Sequence, residues 1–171
     1  MRFKLKTTKD GKRASKEPLN HILKNNVLEV EGRKCKVLCG DVEMERRKDK
    51  LRIRPKSAVA VVEVDGRFHV YFHDWCWWHD ARRVINSTIL RLSTYKCKNR
   101  LCGERVRIVY GDAKVVENLV DTSRYIQYYN VSVKPLSEPI VVEHNIYDYE
   151  VDPKYEYYNY YIYCKERWIR V

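Results

Sequence analysis

The chain has 171 residues, of which 44% are hydrophobic and 33% are charged, so a buried core can form and wholesale disorder is not expected. Its 34 Lys and Arg residues against 23 Asp and Glu residues give a formal net charge of +11. No stretch approaches the roughly 18 consecutive apolar residues of a membrane span, and the charged N-terminus lacks the apolar segment of a signal peptide. We therefore expect an intracellular (cytoplasmic) protein with no membrane partner.

The basic residues are concentrated in the first two thirds of the chain. Residues 1 to 110 contain 27 basic and 13 acidic side chains, whereas residues 111 to 171 contain 7 and 10. Tyrosine is abundant at 14 residues and methionine is scarce at 2, a bias that is typical of thermophilic archaea and their viruses. The charge distribution predicts a surface for a polyanion in the first two thirds.

The first predicted elements are short. Residues 2 to 6 alternate like a half-exposed strand, and residues 18 to 23 have helical spacing after a proline. Residues 51 to 72 predict β structure with a hairpin turn at Asp65-Gly66.

The strongest helical pattern covers roughly Asp74 to Thr94. Apolar positions recur at intervals of three and four, which predicts one buried stripe, formed by Trp75, Trp78, Ala81, Ile85, Ile89 and Leu92. Later strands are expected at residues 104–110, 125–133, 139–143 and 161–171. The pattern predicts an α+β fold with one long helix and β-rich flanks. Its expected regions, in one compact unit, are a basic segment (1–34), a metal-binding region (35–103) and a Tyr-rich region (104–171).

Four of the six cysteines form two short pairs that each end in glycine, Cys35-x3-Cys39-Gly40 and Cys97-x4-Cys102-Gly103. A glycine after the second cysteine permits a tight loop in which two thiolates reach one metal ion. His73 and Cys76 are three residues apart in the first turn of the predicted helix and would share a face. We therefore predict a closed structural Zn²⁺ site, and its ligands are Cys35, Cys39, His73 and Cys76.

This order of ligands resembles a treble-clef zinc finger, and in particular the PARP-type zinc finger, over residues 35 to about 92. The segments that carry the resemblance are Cys35-x3-Cys39, Leu51-Arg52-Ile53-Arg54 and Phe72-His73-Asp74-Trp75-Cys76-Trp77-Trp78. The first pair is one residue wider than the family's usual Cys-x2-Cys. Because PARP-type fingers bind DNA, the resemblance implies a DNA-contacting surface around the site. It implies nothing about ADP-ribose transfer.

The second cysteine pair leaves several interpretations open. Cys97 and Cys102 could replace one pair of zinc ligands, join His79 in a second metal site, or form a disulfide with each other.

Residues 46 to 56 contain seven cations, a pattern that predicts phosphate contacts with little sequence preference. The predicted contacts are Arg46, Arg47, Lys48, Lys50, Arg52, Arg54 and Lys56. The alternative is an ordinary solvated surface. We expect DNA as the partner, with RNA as the alternative ligand.

Two other functions stay open. The late tyrosines lie in an acidic stretch that suits a protein interface, which would make the chain a structural or adaptor protein. An HNH-like treble-clef nuclease would use residues near the predicted helix, namely His69, His73, Asp74, His79, Asp80 and Asn86. The usual order of catalytic residues in that family is absent, and no Gly-rich phosphate loop or nucleophile elbow occurs, so we expect no enzyme.

Overall fold

The structure, a computed structural model, describes residues 26–32 and 34–171. The regular secondary structure of these residues consists of β-strands and includes no helix. The expected α+β fold class is therefore wrong. The chain divides into two compact units, Met1–Ala81 and Arg82–Val171. The strand predicted at residues 2 to 6 and the helix predicted at residues 18 to 23 lie outside the described residues.

The first unit contains two antiparallel sheets. Its described strands are β1 (Leu28–Val30), β2 (Cys35–Cys39), β3 (Val42–Arg47), β4 (Lys50–Pro55), β5 (Val59–Val64), β6 (Arg67–Phe72) and β7 (His79–Asp80). One sheet has the order β1-β4-β3 and the other the order β2-β5-β6-β7. Leu51 and Ile53 of β4 share a buried cluster with Val62 and Val64 of β5, so the two sheets pack on one core. The hairpin expected at Asp65-Gly66 joins β5 to β6.

The second unit is one eight-stranded antiparallel sheet. Its strands are β8 (Arg83–Ile85), β9 (Leu90–Cys97), β10 (Cys102–Tyr110), β11 (Ala113–Thr122), β12 (Ile126–Pro135), β13 (Ile140–Asp148), β14 (Glu156–Cys164) and β15 (Arg167–Arg170). Their order across the sheet is β11-β12-β9-β10-β13-β14-β15-β8. One face carries the core of the unit, which includes Leu90, Val131, Val133, Val142 and Trp168.

The helix predicted over Asp74 to Thr94 does not form, and β7, β8 and the first half of β9 occupy this segment. Cys76 has a φ of 72°, a left-handed conformation that a right-handed helix does not admit. Along β9, buried Leu90 and Thr94 alternate with exposed Arg91 and Ser93, which is the two-residue period of a strand. The three- and four-residue intervals counted in the sequence therefore join apolar residues that belong to separate short elements.

Candidate nucleic-acid interface

The two cysteines of the first predicted zinc pair lie at opposite ends of one extended strand. Cys35 begins β2 opposite Val64, and Cys39 ends it opposite Val61. At about 3.3 Å per residue their Cα atoms are roughly 13 Å apart, whereas two thiolates that bind one zinc ion at about 2.3 Å lie within about 4 Å of each other. Cys39 is also disulfide-bonded, and burial raises the pKa of the Cys35 thiol. The tight loop of a treble clef is therefore not formed.

The other two predicted ligands follow β6. The backbone N–H of His73 donates to the carbonyl of Ala58 at 2.8 Å, and its Nε2 lies 3.0 Å from Asp74 Oδ1. Among residues 26–32 and 34–171, no group of three or more His, Cys, Asp or Glu side chains is arranged to hold a metal ion. The residues Cys35, Cys39, His73 and Cys76 do not fit one zinc ion in this arrangement, and zinc binding stays a prediction from the sequence.

Cys97 and Cys102 are joined in a disulfide, with an S–S distance of 1.98 Å. The bond closes the loop between β9 and β10, next to the point where Gly103 pairs with Lys96. It is one of the alternatives that the sequence leaves open, and it removes both thiols from metal binding. His79, which a second metal site with Cys97 and Cys102 would require, lies in β7 of the first unit. Its ring is 4.8 Å from that of Trp75.

One of the histidines considered for a nuclease, buried His69, is hydrogen-bonded to a carboxylate. His69 Nδ1 lies 2.7 Å from Asp80 Oδ1, and Asp80 Oδ2 is 3.8 Å from Arg67 Nη2. A similar pair, missed by the sequence analysis, joins His144 Nε2 to Glu104 Oε1 at 2.7 Å. An imidazole held by a carboxylate is one element of an acid–base site. Each pair also links neighbouring strands, β6 to β7 and β13 to β10, which is a sufficient structural role.

Carboxylates match most cations of the basic hairpin, which we define as β3 and β4. The register places Glu43 opposite Arg54 and Glu45 opposite Arg52. Arg52 also faces Glu29 of β1, and its Nε lies 3.4 Å from Glu29 Oε2 while its Nη1 lies 4.0 Å from Glu45 Oε1. Oppositely charged side chains across a sheet stabilise the sheet and neutralise each other.

Most of the other cations that the sequence predicts as phosphate contacts also form ion pairs or hydrogen bonds within the chain. Further ion pairs are Arg47–Glu45 at 3.0 Å, Lys50–Glu29 at 3.9 Å and Lys56–Glu43 at 3.9 Å. Arg46 donates to the carbonyl of Gly32 at 3.2 Å. Residues 26 to 81 contain 11 basic and 10 acidic side chains in all. The described part of the first unit is therefore nearly balanced in charge, although residues 42 to 56 by themselves contain 7 basic and 3 acidic side chains.

The excess of positive charge lies elsewhere. Residues 82 to 110, which form β8, β9 and β10, contain 8 basic side chains and only 1 acidic one. Residues 1 to 25 contain 8 and 2, and they lie outside the described residues. Four of these eight cations form ion pairs with carboxylates of residues 111 to 171, namely Lys96, Arg100, Arg105 and Arg107. The cations of this unit that could attract a polyanion are therefore those without such a partner.

Strands β9 to β12 present a polar face opposite the core, which we call the outer face. On β13 to β15 the same face is buried at Val141, Ile162 and Ile169. Because Leu90 and Leu92 of β9 pack in the core, the alternating Arg91 and Ser93 point to the outer face. The same reasoning places further side chains there, namely Arg105 and Arg107 of β10, Lys114 of β11, and Tyr128, Asn130, Ser132 and Lys134 of β12. All of these except Ser132 are exposed.

Three cations on the outer face form a cation cluster, defined as Arg91, Lys114 and Lys134. Lys114 lies directly opposite Lys134 across the β11–β12 pair. Arg91 lies opposite Ser132, so Lys134 is its diagonal neighbour at roughly 7 to 8 Å. None of the three forms an ion pair with any carboxylate of the described residues. The cluster is thus a region of unmatched positive charge.

A second region of the outer face, on β10, β13 and β14, is rich in tyrosine. We define the tyrosine patch as Arg105, Tyr147, Tyr149, Glu156 and Tyr158. The Arg105 guanidinium lies 4.1 Å from the centre of the Tyr147 ring and donates to Tyr149 Oη at 2.9 Å. The Tyr158 hydroxyl donates to Glu156 Oε2 at 3.1 Å. Burial and the negative charge of Glu156 raise the pKa of Tyr158. This patch therefore holds its own charges in internal pairs.

No protein-family model, curated protein or solved structure matches this chain. Within the described residues, no helix has the length and apolar character that crossing a membrane requires. The candidate site is therefore defined by the arrangement of side chains on the outer face.

The cation cluster was missed by the sequence analysis because its members are far apart in the chain. The sequence contains one indication of the cluster, which is the two-residue alternation of polar and apolar residues from Leu90 to Thr94 and from Val131 to Lys134. That alternation shows which side chains share a face of each strand. It does not show that β12 lies between β9 and β11, which brings the three cations together.

Proposed function

We propose that this chain binds nucleic acid, and DNA first, through the outer face of the eight-stranded sheet. The observation that carries the proposal is the cation cluster, in which Arg91, Lys114 and Lys134 have no carboxylate partner among the described residues. Lys114 and Lys134 are directly opposite, and like charges in that position repel each other and destabilise the sheet. A bound phosphate would relieve the repulsion and release counter-ions.

The neighbours of the cluster favour a single strand. Tyr128 is 41% exposed and shares the outer face with Asn130 and Ser132. Unpaired bases stack on aromatic rings while their phosphates meet cations, and an exposed sheet face suits this mode of binding. Single-stranded RNA offers the same groups, so it forms the second arm of the test.

The test compares two variants with the same change of net charge. We expect R91E/K134E to weaken binding of a fluorescent oligothymidine or oligouridine on the order of tenfold at low salt, measured by anisotropy. The matched control is K48E/K50E, which reverses two cations of the basic hairpin and should bind almost as tightly as wild type. Equal losses in both variants would mean that net charge alone attracts the nucleic acid. Absence of wild-type binding at low salt would contradict the proposal outright.

The second candidate function is protein binding by the tyrosine patch and its neighbours. Tyr158 of the patch is 37% exposed, and Tyr and Arg are enriched in protein interfaces. A photo-cross-linking residue at Tyr158, in cells that make the protein, should capture a protein that the same probe at exposed Leu136 does not. Identical products from both positions would count against this function.

A further inference from the structure

Among residues 26–32 and 34–171, the strand β11 forms one edge of the eight-stranded sheet and pairs on one side only, with β12. It is ten residues long, whereas the strand at the other edge, β8, has three. Its apolar side chains are exposed, with Val115 at 40%, Val116 at 38%, Leu119 at 52% and Val120 at 54%. A long edge strand with exposed apolar side chains is a template for another strand, because its outward backbone groups are unpaired.

A bulge in β11 decides which side chains share a face. Leu119 pairs with Tyr129 of β12, but the next pair joins Asp121 to Tyr128, so Val120 is an extra residue. As a result Asp121 points to the outer face with Lys114 and Asn118, and Leu119 points to the core face with Val115.

The sequence of β11 complements itself when a second copy of the strand runs antiparallel about a two-fold axis at Glu117. In this register Val116 faces Asn118 of the other copy, Val115 faces Leu119, and, past the bulge, Lys114 faces Asp121. Each facing pair points to the same side of the sheet, as an antiparallel ladder requires. Two apolar pairs and two pairs of opposite charge result, because every pair occurs twice in a two-fold dimer.

The central residue of this register would otherwise be unfavourable, because Glu117 meets its own copy. Its carboxylate is already paired within the chain, where Lys96 Nζ lies 3.0 Å from Glu117 Oε1. In the dimer, each of the two Glu117 carboxylates would therefore keep its own Lys96 as a partner of opposite charge. Lys114 gains a carboxylate that the described residues of the single chain do not give it, while Arg91 and Lys134 keep their outer-face positions without one.

From this charge complementarity we propose that two copies of the chain join their β11 edges antiparallel and form one continuous sheet. The occupant of the edge is a second copy, since a strand of unrelated sequence would not place Asp opposite Lys114 and Lys opposite Asp121 at both ends. The proposal does not depend on nucleic-acid binding, and it uses neither Arg91 nor Lys134.

The test is a charge swap read out by light scattering and analytical ultracentrifugation, without nucleic acid. Wild type should dimerise, and K114D and D121K should each raise the dimer dissociation constant on the order of tenfold, since each turns two attractive pairs into repulsive ones. The double variant K114D/D121K restores opposite charges and should dimerise again. R91D, a matched charge reversal on β9 and therefore away from the edge, should leave the dimer intact.

Mixing the two single variants gives the sharpest result. In a heterodimer of K114D with D121K, the introduced aspartate of one chain faces the introduced lysine of the other, and the native pair of Lys114 with Asp121 forms at the other end. Native mass spectrometry of the mixture, with one chain carrying a mass tag, should therefore show heterodimers where each variant alone is monomeric. A monomeric wild type, single variants that dimerise like wild type, or a mixture without rescue would each overturn the proposal. Unchanged circular dichroism of the single variants excludes misfolding.

Discussion

Arg52 lies between two glutamates on neighbouring strands, with its guanidinium 3.4 Å from Glu29 and 4.0 Å from Glu45. The arginine side chain is 24% exposed, so solvent screens these pairs only in part. Without the arginine the two carboxylates would repel each other across β4. The basic hairpin therefore uses this cation to hold three strands together, and the cation is not available to a phosphate.

This relationship predicts a loss of stability without a loss of binding. We expect Arg52→Gln to lower the free energy of unfolding by about 1 kcal/mol in urea titration, because it removes two ion pairs and leaves the glutamates unmatched. The control is Arg54→Gln on the same face of β4, which forms no ion pair with the described residues and should cost less. Oligonucleotide affinity should be the same for both variants, and a selective loss with Arg52→Gln would return the binding site to the hairpin.

The salt dependence of binding provides a second prediction. Each phosphate that a cation neutralises in a single strand contributes about −0.7 to the slope of log affinity against log salt concentration. Removing two such cations with Arg91→Gln and Lys134→Gln should therefore make the slope less negative by about 1 to 2. Lys48→Gln with Lys50→Gln should leave it unchanged. The measurement is anisotropy over a series of NaCl concentrations, and equal slopes in all three proteins would place the phosphates elsewhere.

Local turn chemistry was readable from the sequence, whereas long-range pairing was not. Asp65-Gly66 predicts its hairpin because the left-handed conformations of that turn are a property of the two residues themselves. Trp78 was correctly expected to be a core residue, since it packs on the core of the first unit. The prediction that Trp78 and Leu92 lie on one buried helical stripe was wrong, because the two residues belong to different units.

Long-range pairing also determines which cations of the basic hairpin lie next to carboxylates. Seven cations in residues 46 to 56 predict a basic surface only if no other segment supplies carboxylates. Glu29 reaches Arg52 because β1 pairs with β4, and Glu45 reaches it because β3 folds back on β4. Spacing along the chain also suggested that Cys35 and Cys39 share a metal ion, but an extended strand separates residues that a loop would bring together.

The disulfide predicts a measurable contribution to stability. Cys102 lies five positions after Cys97, and closing so short a loop in the unfolded chain corresponds to about 2 kcal/mol in the entropic account. We expect Cys97→Ser/Cys102→Ser to lower the free energy of unfolding by about that amount. Cys35→Ser, which removes a thiol outside any disulfide, is the control and should have a smaller effect.

Metal analysis of the same proteins tests the zinc prediction independently. Native mass spectrometry of wild type, purified without added metal, should give a mass reduced by two hydrogens for each disulfide, the Cys97–Cys102 bond included. Loss of one bound zinc ion in Cys35→Ser, but not in the double variant, would restore the predicted four-ligand site. It would also require β2 to adopt a conformation other than the extended strand.

The tyrosine patch predicts a loss of stability at high pH. Burial, followed by the charge of Glu156, raises the pKa of Tyr158 above its ordinary value of 10.0. The folded state therefore favours the protonated phenol, so this contribution to stability is complete below about pH 10 and is lost as the pH rises toward the raised pKa. The urea concentration at which half of the wild-type protein is unfolded should be lower at about pH 11 than at about pH 8. The difference between these two pH values should be smaller in Tyr158→Phe.

A matched control separates this effect from general alkaline unfolding. Tyr125→Phe removes a phenol that is 63% exposed on the β11–β12 connection, and its midpoint should fall with pH as steeply as that of wild type. The comparison uses the change with pH within each protein, because Tyr158→Phe also loses the hydrogen bond to Glu156 at neutral pH. If all three midpoints fall in parallel, the Tyr158 hydroxyl is as free to ionise in the folded chain as in the unfolded one, and the patch does not hold its charges in internal pairs.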